Sequence, residues 1–315
     1  MRENILYIIV PCYNEQQVLP ETSRLLLEKI KSLIWAGRIS EKSRVVFVND
    51  GSNDLTWQII KKLHTASKYL CGIKLSKNFG HQNAVLAGLL AVKDKADMVI
   101  SMDADLQDDI NAVDAMVEKY HEGCEIVYAV RKGRKNDSFF KRFSAEVFYK
   151  VMKHLGANTI FNHADYRLMS KRAVEALAEF DEVNLFLRGI VPMLGFKSDF
   201  VYYERKERFA GESKYPLKKM IAFAFEGITS FSIRPIRMIT LMGTLVFLAS
   251  IAMLVYVLVS FFSGNAVAGW PSIVISVWGT GGLTLLSIGI VGEYIGKIYL
   301  ESKKRPRFII EEILD

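Results

Sequence analysis

Apolar residues along this chain follow two different periods. Short, largely apolar runs rich in β-branched residues occur at Leu6–Val10, Val45–Val48, Gly72–Leu75, Met98–Ser101 and Glu125–Val130. Runs of that kind, ended by Pro, Gly, Asn and Asp, predict strands buried on both faces. Between them, helical spacing predicts helices over Gln16–Ile34, Leu55–His64, from near Asn83, and over Ile110–Tyr120. Strand alternating with helix predicts an α/β domain, Rossmann-like, with right-handed crossovers and a mostly parallel sheet over Met1–Val130.

The pattern changes in the last third. Met238–Phe262 runs for about 25 residues without a charge and Trp270–Val291 for about 22, each enough to cross a bilayer core. The connection Ser263–Gly269 is short and uncharged. Two buried core helices are the soluble alternative, which uncharged runs of this length disfavour. Arg234 and Arg237 precede the first segment, and Lys297, Lys303, Lys304, Arg305 and Arg307 follow the second. The positive-inside rule then puts both termini and the large domain in the cytoplasm, with a tight hairpin on the far side. The apolar run within Met1–Val10 is too short for a signal peptide and continues into the first strand.

Two amphipathic segments complete the outline. In Ser138–Leu155 the residues Phe139, Phe140, Phe143, Val147, Phe148 and Val151 recur at helical spacing among Lys and Arg. That pattern fits a helix on the sheet and an interfacial helix on a membrane equally well. Lys218–Phe231 is the better interfacial candidate, because it leads into the first apolar segment. The expected division is a domain over 1–215, a juxtamembrane helix over 216–235, a transmembrane hairpin over 236–296 (spans about 238–262 and 270–292), and a basic tail over 297–315.

Composition refines this. Half of the 315 residues are hydrophobic while 24% are charged, a mixture that suits a soluble domain carrying a membrane segment. The net charge of +7 is formally compatible with nucleic acid. Its basic residues cluster beside the apolar segments, so anionic lipid headgroups are the expected partner and nucleic acid is not. Cys12, Cys71 and Cys124 are odd in number and lack C-x-x-C spacing, as in a reduced domain without disulfides or zinc. The five histidines show no metal-ligand spacing; His81 and His163 lie near motifs, with a structural role as the default.

The chemistry concentrates where strands end. Met98–Ser101 runs into Met102-Asp103-Ala104-Asp105-Leu106-Gln107. Two carboxylates two residues apart in extended chain point the same way and suit a hard divalent cation, which in turn holds a diphosphate. Strand ends are where open α/β sheets bind ligands. No G-x-G-x-x-G follows a strand and no P-loop is present, so a diphosphate would be held by metal and side chains. Asp50 closes a buried strand, where its carboxylate can accept from a base or ribose or cap the next helix; Ser52 is expected to cap. Asp108 and Asp109 read as the solvated start of a helix.

Taken together, V-P-C-Y-N-E (Val10–Glu15), V-N-D-G-S-N-D (Val48–Asp54), N-F-G-H-Q-N-A (Asn78–Ala84) and M-D-A-D-L-Q-D-D (Met102–Asp109) resemble the GT-A fold of family 2 inverting glycosyltransferases. Nearly the whole chain resembles the polyprenyl-phosphate glycosyltransferases, the dolichyl-phosphate-mannose synthase-like group with two C-terminal spans. The resemblance implies that Pro11, Tyr13 and Glu15 line the nucleoside pocket, with Val48 and Asp50 beside base and ribose. It implies that Asp103, Ala104 and Asp105 face the nucleotide sugar, and that Asp103, Asp105 and Gln107 hold Mg²⁺ or Mn²⁺.

Arg208-Phe209-Ala210-Gly211-Glu212-Ser213-Lys214-Tyr215 resembles the family's R-x-x-G-x-S-K-Y loop, which together with Arg131 would grip acceptor or donor phosphate. Asp165-Tyr166-Arg167-Leu168-Met169-Ser170 resembles D-F-R-L-M-S, with Asp165 expected to orient the acceptor or sugar. The implied reaction moves one hexose from a nucleotide diphosphate, UDP first, to polyprenyl phosphate, in an oligomer of this chain up to a tetramer. Two other readings stand against it. A processive polysaccharide synthase carries Q-x-x-R-W and more spans, and no Gln here precedes x-x-Arg-Trp. An inactive membrane scaffold has no use for both D-x-D carboxylates.

Overall fold

A computed structural model describes residues 4–131, 163–182, 187–204 and 269–315, with scattered positions from 236 to 255. The chain divides into two compact units. One comprises residues 1–149, 158–216 and 305–315; the other comprises 150–157 and 217–304.

The first unit is built on an eight-stranded sheet. Its strands are β1 (Leu6–Cys12), β2 (Arg44–Asn49), β3 (Leu70–Leu75), β4 (Met98–Ser101), β5 (Ile126–Arg131), β6 (His163–Ser170), β7 (Ser198–Tyr203) and β8 (Ile310–Leu314). They lie in the order β7-β5-β6-β4-β1-β2-β3-β8. β4, β1, β2 and β3 are mutually parallel, in keeping with their largely apolar, buried sequences. β5 and β7 are parallel to each other, and only β6 and β8 run against their neighbours. The C-terminal ends of β1 to β5 and β7 therefore share one edge with the start of β6.

Helices cover both faces. Leu19, Leu26, Ile30 and Leu33 of α1 (Leu19–Trp35) recur on one stripe and are buried. They pack with Leu6, Ile8 and Val10 of β1, with Val45 and Phe47 of β2, and with Met98 and Ile100 of β4. Fully burying such side chains contributes roughly 1.5–3 kcal/mol each. α2 (Thr56–Ala66) buries Trp57 and Ile60 beside them, and α4 (Ala112–His121) buries Val113, Met116 and Val117. α3 (His81–Val92) is apolar nearly all round because it is enclosed on the opposite face. There Gly88 lets it approach so closely that a methyl group would sit 2.3 Å from Ile9 Cγ2. That contact sets the N-terminus of α3 at the ligand edge of the sheet. Two short helices, α5 (Lys171–Ala178) and α6 (Leu187–Met193), follow β6, and the Ser170 hydroxyl caps α5 by accepting from Ala173 N at 3.1 Å.

The residues expected as a basic tail carry regular structure. Helix α7 (Trp270–Ser302) carries Lys297 inside it, and the last residues form β8 against β3. Alternation explains this: Leu314 packs on Gly72 and the core, while Lys74–Glu311 at 2.7 Å and Lys61–Glu312 at 2.9 Å cross to neighbouring elements.

In the second unit, α7 extends for 33 residues, about 50 Å at 1.5 Å per residue. Its Ile273, Val277, Leu285, Leu286, Ile288, Ile295 and Ile298 are exposed, and the stretch Gly279–Ser302 is long and apolar enough to cross a membrane. Among the described residues it is the one such helix. Much of the other expected span, Met238–Phe262, lies outside the described residues. So do the amphipathic segments Ser138–Leu155 and Lys218–Phe231, and Arg208 and Lys214.

Candidate active site

The loops after β1 and β2 are stitched together by side chains that accept from backbone amides. Ser52 Oγ accepts from Asn14 N at 3.0 Å, and Asn14 Oδ1 accepts from Asn53 N at 2.9 Å. Thr56 Oγ1 accepts from Glu15 N at 2.9 Å, and Gln16 Oε1 accepts from Leu55 N at 3.1 Å. Asn14 takes a left-handed backbone with φ 56°, which Asn tolerates. Pro11 and Val48 are buried beneath this lattice while Tyr13 is 45% exposed above it. The two loops are thus held together by the chain's own hydrogen bonds. Ser52 ties the two loops instead of capping α2, whose N-cap position is Leu55; Asp54 Oδ1 accepts from Thr56 N at 3.0 Å in the turn that leads into the helix.

Asp50 braces the next loop. Its carboxylate accepts from Phe79 N at 2.7 Å and Gly80 N at 3.0 Å. Burial raises its pKa against the pull of these two amides. Gly51, at φ 63°, brings the chain so near that a Cβ would lie 2.3 Å from the Lys77 carbonyl carbon. This docking delivers Gly80 and His81 to the site.

Just past the end of β4, Met102 and Ala104 are buried while Asp103 and Asp105 are half-buried, with Ala104 and Asp105 already in a turn. Thr22 of α1 donates to Ala104 O at 2.8 Å, pinning the turn, and Leu106 adopts φ 58°. Gln107 N reaches Asp105 Oδ1 at 3.2 Å. Asp103 is pushed up to about 6, first by burial and then by the Asp108, Asp165 and Asp105 charges. A divalent cation would reverse that shift, so a carboxylate short of counter-charge is consistent with a cation site. Among the described residues no three His, Cys, Asp or Glu side chains form a preformed cage. Two carboxylates and an amide oxygen, completed by water and phosphate oxygens, are what Mg²⁺ or Mn²⁺ accepts.

Asp165, on β6, proves to be a hub. Arg167 Nη2 lies 2.8 Å from Oδ1 and Arg188 Nη2 2.9 Å from Oδ2, with Arg167 fully buried. Ser101 of β4 donates to the Asp165 carbonyl at 2.6 Å. Burial alone would raise the Asp165 pKa; the contact from His81 and the two guanidinium charges hold it well below the usual range. His81 Nε2 stands 3.5 Å from Asp103 and 3.6 Å from Asp165, bridging the two carboxylates. Burial opposes protonation of His81, and these partners override it, raising its pKa. Sequence reasoning gave His81 a structural role and passed over Arg188. The signal for His81 was its place directly after a glycine that follows a strand; Arg188 had none, because only the chain reversal into α6 brings it to β6.

One expectation is overturned. Asp108 is not solvated: it is 3% exposed, accepts from the Tyr203 hydroxyl, and lies 3.4 Å from Arg131 Nη2. β5 and β7 end side by side, and both aim into the turn after β4. Arg131 is accordingly held at this edge, with Nε donating to Tyr203 Oη at 3.1 Å.

The chain matches the model of "Glycosyl transferase family 2" over residues 7–178. It is 53% identical to the uncharacterized glycosyltransferase YkoT of Bacillus subtilis (strain 168), over 98% of this chain and 91% of that one. It is 38% identical to the prophage bactoprenol glucosyl transferase homolog of Escherichia coli (strain K12), over 97% of this chain and 98% of that one. It is 39% identical to the bactoprenol glucosyl transferase of Shigella phage SfV, over 96% and 97%. A sheet edge built from these motifs, with a family match across it, makes this chain a glycosyltransferase belonging to glycosyl transferase family 2.

Proposed function

We propose that the protein moves a single hexose, with inversion, from a UDP-hexose such as UDP-glucose to polyprenyl phosphate, undecaprenyl phosphate in a bacterial membrane, at the cytoplasmic face. The names of the nearly full-length relatives point to this acceptor and sugar. The observation that carries the reading is the convergence of Asp103 and Asp165 on His81, which directly follows the Gly80 whose amide Asp50 holds.

The chemistry suits that edge. A lipid phosphate has a second pKa near 6, so its oxygen is largely anionic at pH 7 and needs no strong base. Asp165, committed to two arginines, is placed to organise charge rather than accept a proton. The acceptor oxygen attacks the anomeric carbon from the face opposite UDP; the bond from that carbon to the diphosphate oxygen breaks, and UDP leaves with the electron pair. Asp103, Asp105 and Gln107 would hold a divalent cation, which when bound offsets charge on the departing diphosphate. Arg131, Arg208 and Lys214 are the proposed phosphate contacts, the last two from their motif alone.

Membrane topology is part of the proposal. β8 lies in the same sheet as β1 to β7, so the chain after α7 returns to the side it left. A single crossing would separate β8 from β3; an even number keeps them together, which supports two spans near 238–262 and 270–292. An oligomer of this chain, up to a tetramer, remains a proposal from resemblance.

The test is to incubate the full chain in detergent with undecaprenyl phosphate and a panel of radiolabelled UDP- and GDP-sugars. Label from one UDP-hexose should enter the organic phase as a glycolipid labile to mild acid. Label appearing only in polymer, or in no lipid with any donor, refutes the proposal.

A further inference from the structure

We propose that Asp108 and Tyr203 are positioning residues that clamp the Arg131 guanidinium for a phosphate oxygen of one of the two substrates; this rests on the transfer proposed above. The three side chains come from the turn after β4, the end of β7 and the end of β5. Tyr203 donates to Asp108 Oδ1 and accepts from Arg131 Nε at 3.1 Å, while Arg131 Nη2 lies 3.4 Å from the same Oδ1. Two of the three guanidinium nitrogens are thereby committed, and no partner meets Nη1 among the described residues.

The burial is informative. Asp108 and Tyr203 are each 3% exposed, whereas the Arg131 side chain is 30% exposed. Asp108 Oδ2 is buried with no hydrogen-bond partner. A carboxylate buried with one oxygen unsatisfied is a poor way to stabilise a fold, since an apolar side chain of similar shape costs less. What it does achieve is to fix the plane of a guanidinium fork, the group that matches phosphate oxygens.

Placement supplies the rest. Asp108 directly follows Gln107 of the proposed cation group, and Tyr203 directly precedes the segment carrying Arg208 and Lys214. Tyr166 packs edge-on against Tyr203 with ring centroids 5.6 Å apart, and its hydroxyl donates to Asp109 O at 3.0 Å. Two tyrosines thus anchor adjacent residues of the turn, so the clamp joins the donor-side turn to the strand that leads toward the acceptor loop.

A double-mutant cycle on the full chain tests this with Tyr203→Phe and Arg131→Ala, repeated with Asp108→Asn. Tyr203→Phe keeps the ring against Tyr166 but takes a donor from the buried Asp108 carboxylate, so thermal unfolding should fall by a few degrees and kinetics are read well below the variant's Tm. Its kcat/KM should fall at least tenfold, as expected for one hydrogen bond to a charged group. In the Arg131→Ala background the same change should cost less than twofold, because neighbouring groups that act together are non-additive. A rise confined to the KM for UDP-glucose assigns Arg131 to the donor diphosphate; a rise confined to the KM for undecaprenyl phosphate assigns it to the lipid. Equal losses in both backgrounds, or wild-type kinetics in Tyr203→Phe and Asp108→Asn, overturn the clamp. If the wild-type protein moves no sugar to undecaprenyl phosphate, the functional reading fails by itself. The cycle then runs on binding of UDP and of undecaprenyl phosphate, each by calorimetry, where additive losses, or no loss for either ligand, again overturn the clamp.

Discussion

Replacing Asp165 by Ala separates a role in holding the site from a role in proton transfer. The substitution leaves Arg167, 1% exposed, without the carboxylate 2.8 Å away, and strips Arg188 of contacts at 2.9 and 3.2 Å. Removing one partner of a buried ion pair typically costs about 3–5 kcal/mol, because a charge is left uncompensated. For a domain of this size that corresponds to a fall in Tm of roughly 6–20 °C. The assay is thermal unfolding of the full chain in detergent, followed by tryptophan fluorescence, with kcat measured on the same samples.

The pH dependence has a definite sign. Asp165 is held below its ordinary pKa, so its contribution is complete above the unfolded value of about 3.9 and is lost only as pH falls through the depressed native value. Its own titration therefore leaves the Tm gap between Asp165→Ala and wild type flat from pH 6 to 8, while His81, whose pKa Asp165 raises, adds a part that is fullest at the low end and is lost as pH rises through the raised His81 value. An unchanged Tm with kcat abolished would refute the hub and restore Asp165 as a group acting directly on substrate.

Asp105→Asn keeps shape but loses a charged oxygen, so turnover should fall at least a hundredfold, about 3 kcal/mol, and EDTA should abolish wild-type turnover until Mg²⁺ or Mn²⁺ is added; full activity in EDTA removes the cation from the reading. Gly51→Ala should lower the urea midpoint by an amount worth at least about 1–2 kcal/mol, since its φ of 63° and a Cβ 2.3 Å from Lys77 both penalise a side chain; a neutral result would mean the 77–80 loop is not docked there. A reporter fused after Asp315 should register cytoplasm and one inserted near Asn265 the opposite side; the same compartment for both would mean the apolar segments do not span.

Some of this was legible without coordinates because it depends on nearest neighbours along the chain. Apolar runs at Leu6–Val10, Val45–Val48 and Met98–Ser101 are too hydrophobic to be anything but buried parallel strands. The carboxylates Asp103 and Asp105 are legible as a pair that follows a strand end. The uncharged run Trp270–Val291 declares itself by length and composition, and the apolar stretch Gly279–Ser302 of α7 overlaps it.

What escaped were features made by residues far apart in sequence. Ile310–Leu314, five residues behind a run of basic ones, carries too little pattern to announce a strand, yet it completes the sheet beside β3. Ser52 has the chemistry of a helix cap, and only the approach of the β1 loop makes it a tie to Asn14.

The sequence by itself determined the alternating α/β plan, the carboxylate pair at a strand end and the apolar segments, because strand, helix and span are set by local periodicity. Only the tertiary structure decided the electrostatics of the site. It brought His81, Arg167 and Arg188 onto Asp165, and it buried Asp108 against Tyr203 and Arg131. The reason is that a carboxylate's charge state and role depend on which distant groups the fold sets within a few ångströms of it, and no spacing along the chain encodes that.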